Sequence, residues 1–105
     1  MGLMSEMPRI HDLKIMRQFY EAVVVNQTKT FEVRVNGRDY RVGDIIVFWE
    51  VTEVTREKTG VKSKPFIITY VLKNFPGLER GFCVFGVEPH ALTRLKNDIF
   101  DDQEG

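Results

Sequence analysis

The sequence predicts a mainly β domain of the α+β kind: a small barrel, antiparallel or mixed, with one covering helix. Three observations point there. β-branched and aromatic residues gather in short runs, Ile45-Ile-Val-Phe-Trp49, Phe66-Ile-Ile-Thr-Tyr-Val-Leu72 and Phe82 to Val87, with turn residues between them. A single helical stretch precedes those runs, at 16–25. The chain has 105 residues, 43% of them hydrophobic, which suits one domain with one core.

The elements come in order. Residues 1–9 read as a flexible extension, 10–89 as the domain, and 90–105 as a short helix or acidic tail. Ile10-His-Asp-Leu-Lys-Ile15 alternates, with His11, Leu13 and Ile15 on one face, which is the period of a strand. Met16, Phe19, Tyr20 and Val23 recur at helical spacing, so 16–25 reads as a helix of two to three turns, weakened at its end by Val23 to Val25. Asn26-Gln27 stops it. Lys29-Thr-Phe-Glu-Val-Arg-Val35 is the next strand, with Phe31, Val33 and Val35 as its apolar face.

Asn36-Gly37 is a hairpin signal, with 38–42 as a short partner strand or loop. Gly43-Asp44 turns the chain into Ile45-Ile-Val-Phe-Trp49, apolar on both parities and so expected to be covered on both sides. That strand should continue to Thr55, and 56–64 reads as a basic loop at the tip of a long hairpin. Residues 66–72 and 82–87 are strands, separated by a loop that Pro76, Gly77 and Gly81 punctuate. Beyond Pro89, Leu92, Leu95 and Ile99 return to helical spacing.

Composition excludes several classes. No apolar run approaches a membrane span, and Met1 to Met7 lack the basic and apolar regions of a secretory signal. The single Cys83 rules out an internal disulfide, sits in an apolar run as a buried thiol, and fits a reducing, cytoplasmic location. Two distant histidines, one cysteine and no spaced carboxylate loop give no basis for a metal site, and no cofactor motif is present. Neither is there a Gly-x-Ser-x-Gly nucleophile motif. The formal net charge is zero, but Asp98, Asp101, Asp102 and Glu104 crowd the end, which leaves the preceding residues mildly basic. An anionic partner is permitted, not demanded.

Chemistry concentrates near the first two strands. Glu32 and Arg34 share a face, and Lys29 stands where the chain enters the strand. On spacing alone this face either meets water, as charged strand faces often do, or reads a small polar group. His11 could join it from the first strand, although a lone His on an apolar face is commonly structural. Arg17 on the helix and Arg38 and Arg41 after the turn extend a basic rim. Lys58, Lys62 and Lys64 form a second basic patch. Trp49, Tyr40 and Phe75 are candidate stacking platforms, with Trp49 expected in the core.

The run Gln27-Thr-Lys-Thr-Phe-Glu-Val-Arg34 resembles the signature of ASCH domains, members of the PUA-like superfamily: Gly-x-Lys-x-x-Glu-x-Arg after a helix, then a Val-Gly-Asp turn. Lys29, Glu32, Arg34 and Val42-Gly-Asp44 match, while Gln27 stands in the glycine position. The opening His11-Asp-Leu-Lys-Ile15, with Arg38-Asp39, is similar to a compact bacterial and phage subfamily of unassigned function. The resemblance implies a PUA-like barrel whose Lys, Glu and Arg line a cleft beside the helix. It implies an RNA or (modified) nucleotide partner, met without metal, membrane or catalysis. Lys29 or Arg34 would take a phosphate or carbonyl, and Glu32 an exocyclic amine or Arg34 itself.

Two other readings accompany it. Some minimal ASCH proteins resemble deacetylases of N4-acetylcytidine that use a Lys, a Thr three residues on and a distant Glu; here Glu32 replaces the threonine and with it the nucleophile. An interaction module would instead meet a protein partner through the basic hairpin or residues 90–105.

Overall fold

A computed structural model of the protein describes residues 7–90; most of the expected extension (1–9) and of the expected helix or acidic tail (90–105) lies outside the described residues. The described residues form six strands and one short helix, and the sheet curls into a half-barrel. The expected mainly β class is met. In chain order the elements are β1 (Ile10–Met16), α1 (Arg17–Tyr20), a π-helical turn (Glu21–Val25), β2 (Phe31–Val35), β3 (Ile45–Val51), β4 (Lys58–Lys62), β5 (Phe66–Lys73) and β6 (Phe82–Pro89). The sheet order is β1-β3-β5-β6-β2, with β4 paired to β3.

β1 and β3 run parallel, with Leu13 opposite Phe48; every other pairing is antiparallel. Parallel neighbours need a crossover, and the helix, β2 and the loop to Asp44 supply it. The alternation read in β1 holds: His11, Leu13 and Ile15 are buried and Asp12 and Lys14 exposed. Inside the curl these residues meet Tyr20, Val23, Tyr40, Ile46, Phe48, Phe66, Ile68, Cys83, Phe85 and Val87. Phe48 and Phe85 are fully buried, and each such ring stabilises the fold by roughly 1.5–3 kcal/mol through the area it removes from water. Cys83 is buried too, and burial pushes its thiol pKa up, which keeps it protonated and inert.

Four expectations need correction. The apolar face of β2 is its outer one. Phe31, Val33 and Val35 are 45%, 49% and 62% exposed, whereas Glu32 is 5% exposed. Register explains this: Glu32 lies opposite Phe85 and Arg34 opposite Cys83, so both point into the curl. Period two fixes alternation but not which face turns inward.

Asn36-Gly37 closes no hairpin, because β2 pairs with β6 and the Asn36 amide extends that ladder to the Gly81 carbonyl (2.9 Å). Asn36 Oδ1 then accepts from the Tyr40 amide (3.1 Å). Tyr40 is buried between His11 and Phe85, at ring distances of 4.9 and 4.7 Å. Burial of that ring draws 38–42 inward as a loop.

The third correction concerns β3, which stops at Val51, so the hairpin turns at 52–57 and Lys58–Lys62 is a strand rather than a loop. Finally, Trp49 is not core: it faces outward, half-buried.

The helix has the expected extent, but its second half widens. Asn26 donates to the Glu21 carbonyl (2.8 Å), and the amides of Thr28 and Lys29 both reach Ala22 (2.9 and 3.1 Å). Val23 to Val25 crowd a regular turn, and the wider turn satisfies the terminal carbonyls. Gln27, with φ of 54°, completes the exit. This is the left-handed conformation that favours glycine.

Denaturant titration should separate the two faces of β2 from the core. Val33→Thr should change stability by no more than about 0.5 kcal/mol, and Phe85→Ala should cost about 3–5 kcal/mol. Gln27→Gly should leave the fold intact and raise stability by up to about 1 kcal/mol, by relieving the left-handed strain.

Candidate functional site

Glu32 is the electrostatic centre of the interior. Its Oε2 is paired with the Lys29 ammonium, and its Oε1 accepts from Arg34 Nε at 3.1 Å. A buried carboxylate is tolerated only when paired on both oxygens. Lys29 reaches it because the π-helical turn delivers the chain to β2 from the helix side. The same ammonium donates to the Phe31 carbonyl (2.8 Å) and lies 5.0 and 5.5 Å from the Phe31 and Phe19 rings.

Arg34 does a second job. Its Nη2 donates to the Lys14 carbonyl on β1 (3.0 Å), and Arg38 Nη1 donates to the Asp12 carbonyl (3.1 Å). β1 and β2 are the two edges of the curled sheet. In a closed barrel their backbones would pair; here two guanidiniums span the seam and satisfy alternate carbonyls of β1. Each arginine has five N–H donors, so donors remain on both after the seam is bridged.

A concavity of about 440 Å³ lies over this seam. Lys14, Arg34, Arg38 and Lys58 converge on it, with Tyr40 and Trp49 as aromatic lining and Asp12 as its carboxylate. Asp12 Oδ1 is occupied, accepting from Trp49 Nε1 at 2.9 Å, so the indole is held beside the groove. Lys58 and Lys62 stand 4.2 and 5.1 Å from the indole ring, within range of cation–π attraction. Tyr40 is pushed above the usual phenol range by burial, despite the opposing charges of Arg38 and Arg34; it stays a neutral donor.

The other residues singled out from sequence go elsewhere. Lys29 opens toward a small hollow of about 180 Å³ on the helix side. His11 is buried and lies 2.8 Å from Asp44 Oδ2, outside the groove lining. Arg17 is an exposed partner of Glu50 at 3.7 Å and of Glu21 at 4.0 Å. Arg41 is exposed and paired with Asp39 at 2.8 Å. Its hydrogen bond and charge hold the Asp39 carboxyl below the usual range. Lys64 lines a different, wider concavity with Lys62.

Four participants, Lys14, Asp12, Glu50 and Asp44, escaped sequence reasoning. Lys14 and Asp12 were placed on the outer face of β1 by period, but nothing local shows that β3 sets Trp49 beside Lys14. Glu50 is buried on the inward parity of β3, accepting from the Thr59 hydroxyl at 2.8 Å. Asp44 is the anchor of the Val42-Gly-Asp44 turn: it holds His11, the Arg9 guanidinium (3.1 Å) and the Arg9 and Arg41 amides (3.3 and 3.2 Å). Burial pushes its carboxyl pKa up, but the His11 bond, the two amides and the Arg9 charge outweigh that and hold it below the usual carboxylate range.

Fold and site together define a small mainly β domain with a basic, aromatic-lined groove at an open seam. The family model described as Domain of unknown function (DUF3850) matches residues 10–87, and the chain belongs to that family. No curated protein matches the chain. Among the described residues no group of three or more His, Cys, Asp or Glu could hold a metal ion, and no helix is long and apolar enough to cross a membrane.

Removing the carboxylate should be costly because it strands two inward-facing cations. Glu32→Ala should lose about 3 kcal/mol by urea denaturation, near the low end for a broken buried pair since both cations are partly solvated. The Asp44 carboxyl titrates lower folded than unfolded, so its stabilisation is complete above the unfolded pKa and disappears as pH falls through the folded one. Stability should therefore fall as pH drops from about 5 to 2, and Asp44→Asn should be less stable at neutral pH and show a flatter acid limb.

Proposed function

We propose that this domain is a binding module for single-stranded RNA or a nucleotide, of the PUA-like, ASCH type, acting through the seam groove without catalysis. The observation that carries the reading is the convergence of Lys14, Arg34, Arg38 and Lys58 on one concavity beside an oriented indole. Phosphates supply most of the affinity in such complexes, and bases stack on aromatic faces for about 1–3 kcal/mol each. Arg34 and Arg38 are already fixed by Glu32 and by carbonyls of β1, so little side-chain entropy remains to be lost on binding. Glu32 serves here as the residue that aims Arg34, not as a base reader, because both its oxygens are engaged.

An amidohydrolase finds less support. Position 32 carries no hydroxyl, and the Lys29 ammonium is committed to Glu32 and to the Phe31 carbonyl.

Trp49 is the only tryptophan, so its fluorescence reports directly on the groove. Single-stranded oligonucleotides and nucleoside monophosphates should quench it saturably at about 50 mM salt, with log K for the oligonucleotides falling against log salt at a slope near −3 if about four phosphates are neutralised. Lys14→Ala and Arg38→Ala should each weaken binding and reduce that slope by about one. Unchanged Trp49 emission with every nucleotide and oligonucleotide up to millimolar concentration would sink the proposal.

A further inference from the structure

β2 turns its charged residues inward, so its apolar ones lie on the outer face of the sheet. Register extends that face over two more strands. Phe31 lies opposite Gly86, and Gly86 opposite Tyr70. Val33 lies opposite Val84, and Val84 opposite Leu72; Val35 lies opposite Phe82. Cross-strand partners share a face, and these three rows contain no charged residue. Phe31, Val33, Val35 and Tyr70 are 45–62% exposed, with Phe82, Val84 and Leu72 half-buried among them. Together they present roughly 500 Å² of apolar area, toward the upper end of what a monomer leaves uncovered.

The middle strand of the three, β6, has opposite charges beyond the two ends of this surface. Arg80 precedes Val84 by four residues, in the turn before the strand, and Glu88 follows it by four. Both are exposed, and neither joins an ion pair among the described residues.

We infer that this face is the contact between two copies of the chain, packed sheet on sheet about a two-fold axis that crosses the strands through Val33, Val84 and Leu72. A two-fold contact is self-complementary: if one residue meets a second, the second meets the first. About this axis Val84 meets Val84 of the second copy, Val35 meets Phe31, and each Arg80 meets a Glu88. An axis along the strands would instead set Arg80 against Arg80 and Glu88 against Glu88, and like charges oppose association. The charges thus select one of the two ways the face can pair with itself. An uncharged centre also suits a second copy, because a charge on the axis would meet itself. Homodimer interfaces are about 65% apolar, so a centre of roughly 500 Å² belongs to an interface of roughly 800 Å² per copy, the usual size for a specific complex. Half-exposed side chains and ion pairs at the rim give weak association, with a dissociation constant of about 10–100 μM. Dilution below that range leaves the isolated domain, and dilute denaturation reads its stability alone.

Sedimentation velocity of the full chain from about 1 μM to about 1 mM, at about 50 mM salt, should show the mass doubling from the 12.2 kDa of one chain. Val84→Lys places two ammoniums on the axis and should abolish the doubling. Arg80→Glu should weaken association about fivefold, and the double variant Arg80→Glu, Glu88→Arg should restore it to within about twofold. In an equal mixture of isotope-labelled and unlabelled chains, filtered NOEs should join the Val35 methyls to the Phe31 ring. Within one strand these residues stand about 13 Å apart, too far for that signal. No nucleotide is present in these samples, so their outcome is separate from that of groove binding. A chain that stays monomeric at every concentration overturns the inference, as does a dimer that tolerates Val84→Lys, lacks the filtered NOEs or is not rescued by the charge exchange. Val33 methyls shielded from a soluble nitroxide in monomeric Val84→Lys overturn it too, since a segment of the same molecule would then cover the face.

Discussion

The interior placement of Glu32 is the constraint on which the rest of the architecture depends. A carboxylate facing Phe85 costs several kcal/mol unless both oxygens are paired, and two residues of its own strand region supply the cations. Each has a second attachment. Lys29 is tied to the Phe31 carbonyl and arrives from the π-helical turn; Arg34 is tied to the Lys14 carbonyl across the seam. The ion pairs thus do what a strand ladder does in a closed barrel. They join the first edge of the sheet to the last, by side chains rather than backbone, and leave the seam open above them.

An open seam has a consequence that a ladder would remove. Backbone pairing between β1 and β2 would consume the carbonyls of Asp12 and Lys14 and exclude anything larger than a hydrogen bond. Guanidinium bridges satisfy the same carbonyls and still present charge outward. The local field is therefore positive although the formal charge of the chain is zero, because many of the carboxylates are engaged elsewhere: Asp44 with His11, Asp39 with Arg41, Glu50 with Thr59. Short-range arrangement, not net charge, sets what such a surface attracts.

Legibility in the sequence followed the strength of local signals. β1, β5 and β6 were readable because period and β-branched content agree there. β4 was not, since Lys58-Thr-Gly-Val-Lys62 has five exposed residues and the composition of a loop; only its pairing with Trp49 and Val51 makes it a strand. β2 was found, but which of its faces turns inward was not, because alternation carries no sign. Asn36-Gly37 is a strong turn signal outweighed by a tertiary event, the burial of Tyr40. Lys29, Glu32 and Arg34 were legible as a cluster from their spacing. The groove was not, for it needs Lys14 and Trp49, brought together by a parallel register that no local pattern encodes.

The identity of residue 32 also separates two chemistries that one scaffold could carry. A threonine there would bring a hydroxyl beside Lys29 and could act as a nucleophile if the amine were free to take its proton. It could not balance two inward cations, so Arg34 would lose the contact that aims it at the seam. With glutamate, Lys29 is bound as an ammonium and Arg34 is fixed, and the position becomes a strut. A free lysine base and a braced arginine groove make opposite demands on this one side chain. With Glu32 in place, this chain has the braced arginine and not the free lysine base.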